Sequence, residues 1–549
     1  MSILALLACA CFSASASEVS LESGFKQPAD AYKPWTWWHW MNGHVTRESI
    51  TRDLEEMKRS GLGGFGLWNT HEGIPKGPVK YGSPEWWDLV EHTMDEAERL
   101  GLFMEMFNGA GWSATAAPFV TPDKAMQEVA WTEVTVSGAR RIELQLAEPK
   151  AVLGLERDMK RDPKINQRYY MPREGLKGQF QDLAVYAVPA IPKGQKPWRL
   201  KNWREQAGFD KLRKRMQPDS RKVPASQLLR ADQILDISAY MHTDGRLEWQ
   251  APAGEWTILR MGYQPTGRSN HPASHGGKGL EIDKMSAAAM DFYWQHFLDR
   301  VVELAGDRAG SVFQNILIDS YEAGHQNWTA GFEQKFVAMH GYDLKELLPI
   351  LTGRVVGSVE FTERVLWDYR KLINDLIVEN YYGRMAELCA EAGLKFAAEP
   401  YGRYGNANDY DAAGKVHIPT CEWWAYAGNQ KERIGEAKLA ASTAHTYGRK
   451  VVSSEAFTGT PQRIFESHPG GIKGQGDYFM VQGVNKFCFH TWAHDPYEQA
   501  PGLGLGTYGS RFDSRNTWWP YVGAWLEYLT RNQYMLQQGD FVGDVLCYA

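Results

Sequence analysis

The stretch Ile316-Leu317-Ile318-Asp319-Ser320-Tyr321-Glu322 runs from three apolar residues straight into two carboxylates, and His325, Gln326, Asn327 and Trp328 follow. Other apolar runs stop in the same way. "LKFAAEPYG" carries Glu399, "VHIPTCEWW" Glu422, "KVVSSEAFT" Glu455, and "NKFCFHTWAH" ends on His490, Trp492 and His494. A carboxylate where a buried run stops is costly unless it is paired, bound to a cation or catalytic. Four glutamates so placed point to one shared site rather than to four separate ion pairs. Two carboxyl groups facing each other across a pocket suit cleavage of a glycosidic bond. One, protonated, gives its proton to the departing oxygen; the other acts on water or on the anomeric carbon. Glu322 and Glu455, on runs that lie on opposite sides of a closed barrel, make the natural pair. Glu399 and Glu422, on neighbouring runs, can anchor a hard cation such as calcium, which takes about six to eight oxygen ligands.

Such residues must be positioned by elements, and the chain supplies eight of the same kind. "PWTWWHW", "GGFGLWNT" and "LFMEMFNGAGW" precede the five runs above, counting "NILIDSYE" as the fourth. Helical patterns alternate with them. In "VTRESITRDLEEMKRSG", Ile50, Leu54 and Met57 share one face, with Thr46 as N-cap and Gly61 as stop. "SPEWWDLVEHTMDEAERLG" has Ser83 as cap and Pro84 at the first helical position. Continuous apolar strands alternating with helices predict a parallel sheet covered on both faces, here a (β/α)8 TIM barrel with its site at the C-terminal strand ends. A doubly wound open sheet would carry a Gly-rich phosphate turn after the first strand, and none is present. The strand ends then predict further sugar contacts. Trp35 and Trp37 are expected in the barrel wall and Trp38, His39 and Trp40 nearer the mouth. Asn42, Asn69 and Asn108 suit hydroxyl recognition or helix capping. Asp319, Trp492 and His494 complete the expected substrate-binding set.

The alternation breaks between about residues 121 and 270, where β-like pieces such as "EVAWTEVTVSG" and "RLEWQAPAGEWTILRMGY" predict an inserted all-β domain. The barrel is accordingly expected over 18–120 and 271–535, and 536–549 reads as the start of a further, truncated C-terminal β domain. With 549 residues the chain is too long for one ordinary domain and suits a large barrel with an insertion. A net charge of −6 gives no reason to expect nucleic acid or an anionic membrane as partner. Aromatic residues reach 13%, with 22 Trp, and indole faces stack on the C–H faces of sugars, so a carbohydrate partner is expected. Residues 1–17 combine an apolar run with Ala14-Ser15-Ala16, which fits signal peptidase cleavage and export to the periplasm or cell exterior, although no basic residue precedes the run. No later run is long enough to span a bilayer. Cys389, Cys421, Cys488 and Cys547 show no CxxC spacing and are expected as buried free thiols.

"WWHWMNGHVTRESITRDLEEMKRSGLGGF", together with "FNGAGWS", "IDSYEAGHQNWT", "AEPYG", "CEWW" and "SSEAF", resembles glycoside hydrolase family 106, the α-L-rhamnosidases of plant-polysaccharide-degrading bacteria. The resemblance covers nearly the whole chain after residue 17. It implies an exo-acting, inverting enzyme with calcium in its active site, Glu322 as general acid, Glu455 as general base and Glu422 as a calcium ligand. Inversion sets the paired carboxyls roughly 6.5–9.5 Å apart, leaving room for a water. Two rivals fit parts of the pattern. A metal-dependent sugar isomerase would also place carboxylates and histidines at strand ends, but export argues against it. A non-catalytic carbohydrate-binding protein would have no use for both Glu322 and Glu455.

Overall fold

The computed structural model describes residues 20–149, 153–161, 164, 168–210, 217–402, 407–426, 430–460, 464–497, 499, 501–506 and 508–544. Eight parallel strands close a barrel: β1 (Trp35–Met41), β2 (Gly64–Thr70), β3 (Phe103–Phe107), β4 (Phe313–Ile318), β5 (Lys395–Ala398), β6 (Ile418–Trp424), β7 (Ser453–Thr458) and β8 (Cys488–Ala493). Each is hydrogen-bonded to its neighbours in chain order, and β8 returns to β1. These are the eight apolar runs. The helix after β1, α1 (Arg47–Ser60), starts with Thr46 accepting from Ser49 N and ends at Gly61 in the left-handed conformation. The helix after β2, α2 (Pro84–Leu100), starts at Ser83 and ends at Gly101.

Strand alternation decides what reaches the barrel interior. On β1 the inward residues are Trp35, Trp37 and His39. The two indoles join Trp68, Phe107, Leu317, Ala397 and Ile418 in the interior cluster. Room for them comes from β2, where Gly64 and Gly66 sit in register with Trp35 and Trp37. A Cβ on Gly66 would lie 2.9 Å from the Trp37 ring, and one on Gly64 2.8 Å from Trp35. Trp38 and Trp40 take the opposite face and pack under the helix layer with Phe65, Leu54 and Trp86.

The insertion leaves the barrel after β3. Its main sheet is antiparallel, with strands Gln127–Ser137, Glu255–Pro265, Gln181–Pro189 and Leu235–Asp236 side by side. A second pair, Arg140–Gln145 with Arg246–Ala251, closes a small core of Ile142, Val185, Leu247, Trp249 and Ile258. The other face of the main sheet presents Val129, Tyr186, Leu259 and Met261 to the barrel's own core. Arg354 clamps Glu133 of the insertion at 2.7 Å. The chain rejoins the barrel at helix Ala287–Tyr293, which continues through a π-helical turn into Asp299–Ala305 and then β4.

The N-terminal run 1–17, Cys547 and the last five residues lie outside the described residues; 539–544 form no strand, and the last helix is Gly523–Leu536. Cys389, Cys421 and Cys488 are buried free thiols, as expected. Among the described residues no helix is long and apolar enough to cross a membrane.

Where the insertion returns, a fully buried ion pair joins it to the barrel. Lys284 Nζ lies 2.8 Å from Glu281 Oε2, both side chains being 0% exposed. Glu281 also accepts from Ser113 Oγ at 2.8 Å and from Thr115 N at 3.1 Å, on the loop after β3. The Lys284 ammonium stands over the Tyr321 and Tyr381 rings. Lys284→Met strands the Glu281 charge and should cost roughly 3–5 kcal/mol in urea unfolding. Adding Glu281→Gln should recover much of that loss, because a neutral amide oxygen still accepts from Thr115.

Candidate active site

A cavity of about 930 Å³ opens at the C-terminal ends of the barrel strands. Its barrel side is made by Trp37, His39, Asp319, Glu322, Glu422, Glu455 and His490. Its other side comes from the insertion and its return: Asp158, Arg168, Tyr169, Arg268 and His271.

The centre of the barrel side is acidic. Asp319 follows β4 directly, Glu399 follows β5, and Glu455 lies on β7; one carboxylate oxygen from each falls within 4.8 Å of the others. Burial pushes all three carboxyls well above the ordinary range. The neighbouring carboxylates add to it: Glu422 on Asp319, Asp319 on Glu399, and Glu422 on Glu455. Glu422 and Glu455 sit directly opposite each other in the β6–β7 register, which explains that last effect. Glu399 is 0% exposed, and among the described residues no N–H or hydroxyl donor reaches either of its oxygens. Two bare buried oxygens beside two further carboxylates form a hard-oxygen donor set, so this triad can hold a metal ion. Without a cation the three must share protons; with one they can all ionise.

Glu422 is arranged differently. Its Oε2 accepts from Arg433 Nη1 at 2.5 Å and its Oε1 from Trp424 Nε1, while Arg433 also binds Glu436 at 2.8 Å. Both oxygens are therefore engaged, and Asp319 takes the third place of the triad. Of the expected Glu399–Glu422 pair, Glu399 belongs to the group that could hold a metal ion, while the oxygens of Glu422 face Arg433 and Trp424.

Glu322, half-buried, stands on the loop after Asp319, and backbone contacts fix that loop. Tyr321 N donates to Tyr401 O at 2.7 Å, and Glu322 N donates to Ser113 O at 2.9 Å. Gly402 permits the first contact, since a Cβ there would fall 2.1 Å from the Tyr321 carbonyl. Ser113 is in turn held by Glu281. The buried pair under the insertion thus supports the loop that presents Glu322.

Two neutral histidines complete the floor. His490 Nδ1 is 3.3 Å from Glu455 Oε1, and burial pushes its pKa down to about 3. Burial and His490 likewise hold His39 well below the usual imidazole value. Thr491 Oγ1 gives its proton to Trp37 O, so His39 Nδ1, 2.5 Å from that hydroxyl, must donate, leaving Nε2 as the acceptor. Thr458 donates to Glu455.

Several residues expected at the mouth lie elsewhere. Trp38 and Trp40 face the helices, while Trp37, expected in the wall, lines the cavity with His39. Trp38 Nε1 donates to Asp53 Oδ2 at 3.1 Å. Trp492 packs edge-on against Trp519, and His494 bridges Asp53 at 2.7 Å and Ser49 at 3.0 Å. Their outward turn has a local cause: Thr36 pairs with Phe489 but Trp38 pairs with Trp492, so β8 holds one extra residue and its alternation switches after His490. The amides also serve structure. Asn42 ties Ile74 O and His275 N, Asn69 accepts from Trp86 Nε1, and Asn108 donates to Thr115 Oγ1. His39, Asp319, Glu322, Glu422 and Glu455 do line the cavity. Trp112, Tyr401, Arg433, Tyr508 and the residues of the insertion were not foreseen. Trp112 and Tyr401 stand close to strand ends in "FNGAGW" and "AEPYG" and could have been read there. The insertion's residues carry no such signal.

Comparison with known proteins agrees with this architecture. Residues 26–549 match the profile of glycoside hydrolase family 106, described as α-L-rhamnosidase. A protein of Formosa agariphila named "Putative beta-glucuronidase" is 38% identical over 528 residues, covering 96% of this chain and 42% of its own length. The structure of a rhamnosidase from Novosphingobium sp. PP1Y superposes with a TM-score of 0.77 at 25% identity, over 95% of this chain and 61% of that one. The chain thus spans less than two thirds of either relative.

The triad makes a binding prediction that needs no turnover. Glu399→Gln removes one crowded carboxyl, so in chelator the variant should melt at a higher temperature than the parent. A divalent cation should raise the parent's melting temperature and scarcely move the variant's, because the stabilisation follows the cation's affinity for the folded state. Equal shifts in both proteins would remove the triad as a metal site. Differential scanning fluorimetry, with and without calcium, measures both arms.

Proposed function

Because the chain belongs to glycoside hydrolase family 106, the α-L-rhamnosidases, we propose that its cavity releases a terminal α-L-rhamnose from a glycan by an inverting acid/base reaction assisted by calcium. The observation that carries the reading is the placement of Glu322 and Glu455 in one cavity in contrasting surroundings. Glu322 is half-buried on the loop after Asp319 and lines the cavity across from the insertion, where a departing oxygen can reach it. Glu455 is buried among carboxylates, with His490 and Thr458 at its oxygens.

In this scheme the rhamnose ring occupies the barrel side, over Trp37 and His39. His39 Nε2 is an acceptor suited to a sugar hydroxyl. Glu322 gives its proton to the glycosidic oxygen as that bond breaks. Glu455, as carboxylate, takes a proton from a water that attacks the anomeric carbon from the opposite face. Asp319 and Glu399, with Glu455 alongside, would hold calcium. The bound ion would supply oxygen coordination for the sugar's diol and offset the charge that burial otherwise suppresses on Glu455. Arg433 and Trp424 occupy the oxygens of Glu422 and keep it out of the ligand set. Export, suggested by residues 1–17, fits a polymeric substrate met outside the cell.

Family membership displaces the isomerase and the non-catalytic binder. A second reading comes from the Formosa relative's name: the released sugar could be a uronic acid. The carboxylates argue against it, since a uronate in the cleaved position would add a further one to Asp319, Glu399, Glu422 and Glu455.

Leaving-group dependence tests the roles. Glu322→Gln should lose about 10²–10⁴-fold in kcat on an alkyl or glycosyl rhamnoside, the usual range for general acid catalysis, and far less on a dinitrophenyl rhamnoside that departs without a proton. Glu455→Gln should lose comparably on both. Proton NMR of the first-formed product should show β-L-rhamnose. The α anomer would make Glu455 a nucleophile and refute inversion.

A further inference from the structure

We propose that the cavity's leaving-group subsite is built for an anionic sugar, a carboxylate- or sulfate-bearing residue carrying the rhamnose, recognised by Arg168 together with His271 and Tyr169 of the insertion. This rests on the rhamnosidase reading for which sugar leaves, but the recognition itself does not require it.

The two walls of the cavity carry opposite charge. Asp319, Glu422 and Glu455 line the barrel side with Glu399 beside them, while the insertion side carries Arg168, together with Arg268 in its pair with Asp158. Glu322 shows which wall faces the departing group. Its amide is bonded to Ser113 O, and the Ser113 hydroxyl accepts from His271 N at 3.2 Å. Two residues on, Gly324 lies under the Arg268 guanidinium so closely that a Cβ would be 2.5 Å from Nε. The oxygen protonated by Glu322 therefore sits between that residue and the insertion wall.

The two arginines differ in role. Arg268 is committed to structure: it binds the buried Asp158, to which Tyr170 Oη also donates at 2.9 Å, and lies 4.5 Å over the Tyr170 ring. Arg168 is exposed at the cavity edge. Tyr169 and His271 stand beside it, their rings 4.7 Å apart, and His71 is 5.7 Å from His271. The local field is positive. Burial first, then His71, Arg168 and Lys278, push His271 down to about 3, and burial, Lys278 and Arg168 lower His71. Burial raises the carboxyl of Glu72 on the loop after β2, and Arg168 draws it back down. Trp112 and Tyr508, edge to face at 5.7 Å, give the same end of the cavity aromatic surface for a pyranose ring. A carboxylate or sulfate on that ring would meet Arg168 away from the acidic triad. On the opposite wall it would be repelled.

The test compares four synthetic substrates with the full chain: rhamnose α-linked to a hexuronic acid, to the methyl ester of that acid, to a neutral hexose, and to a hexose sulfate. The acid or the sulfate should exceed its uncharged partner in kcat/KM by about tenfold or more, the value of one charge-assisted contact. The better of the two identifies the anion. Arg168→Gln should bring the charged-to-uncharged ratio close to one, and Arg168→Lys should keep part of it. Equal rates on charged and uncharged substrates in the parent, or a ratio that survives Arg168→Gln, overturns the proposal. Calorimetry with the free hexuronate separates this from failure of the rhamnosidase reading. Arg168-dependent binding with no rhamnoside cleaved leaves the subsite standing and the activity refuted.

Discussion

Asp319, Glu399 and Glu455 meet within 4.8 Å where water scarcely reaches, and much of the surrounding structure answers the charge that collects there. Buried carboxylates of like sign cannot all ionise without compensation. Arg433 supplies it for Glu422, so that a fourth carboxylate stays beside the triad without joining it. The histidines at the floor are neutral and add little positive charge of their own. The remaining deficit is one a hard cation would meet, and the bare oxygens of Glu399 are where it would be met.

The insertion belongs to this site rather than hanging beside it. Its return segment carries Glu281 and Lys284, a pair fully removed from solvent, and through Ser113 that pair reaches the backbone of Glu322. A buried ion pair brings modest net stability but a sharply defined geometry, since either partner alone would be an uncompensated charge. The loop presenting Glu322 is thus held from two sides, by the insertion and by Tyr401 after β5. The same insertion also brings Arg168 to the cavity, so one segment supports the loop of Glu322 and shapes the space beside it.

Much of this was legible in the residues. Eight apolar runs closed by polar strand ends specify a parallel barrel, because a strand buried on both faces must be apolar throughout and a polar residue survives only where the strand stops. Thr46, Gly61, Ser83 and Pro84 marked helix ends for reasons local to the backbone. The glutamates at the ends of the later runs marked the mouth, since a carboxylate beside a buried strand is tolerated only where a cation, a partner or a reaction offsets its desolvation. All of these follow from interactions within a few residues or from a rule common to every strand.

Tertiary structure decided the rest. In "WTWWHW" every residue but Thr36 is aromatic, so nothing local says which face of β1 turns inward; Gly64 and Gly66 on the neighbouring strand settle it by leaving space for Trp35 and Trp37. One extra residue in β8 then sends Trp492 and His494 outward while His490 stays within. Asp319 rather than Glu422 completes the triad because Arg433 and Trp424, which follow Glu422 in the chain, fold back onto its oxygens. Arg168 reaches the cavity from the insertion and His271 from its return, across contacts that no spacing encodes. Sequence determines which residues stop a strand and cap a helix. Side-chain direction, and the meeting of distant segments at one cavity, depend on how whole elements pack.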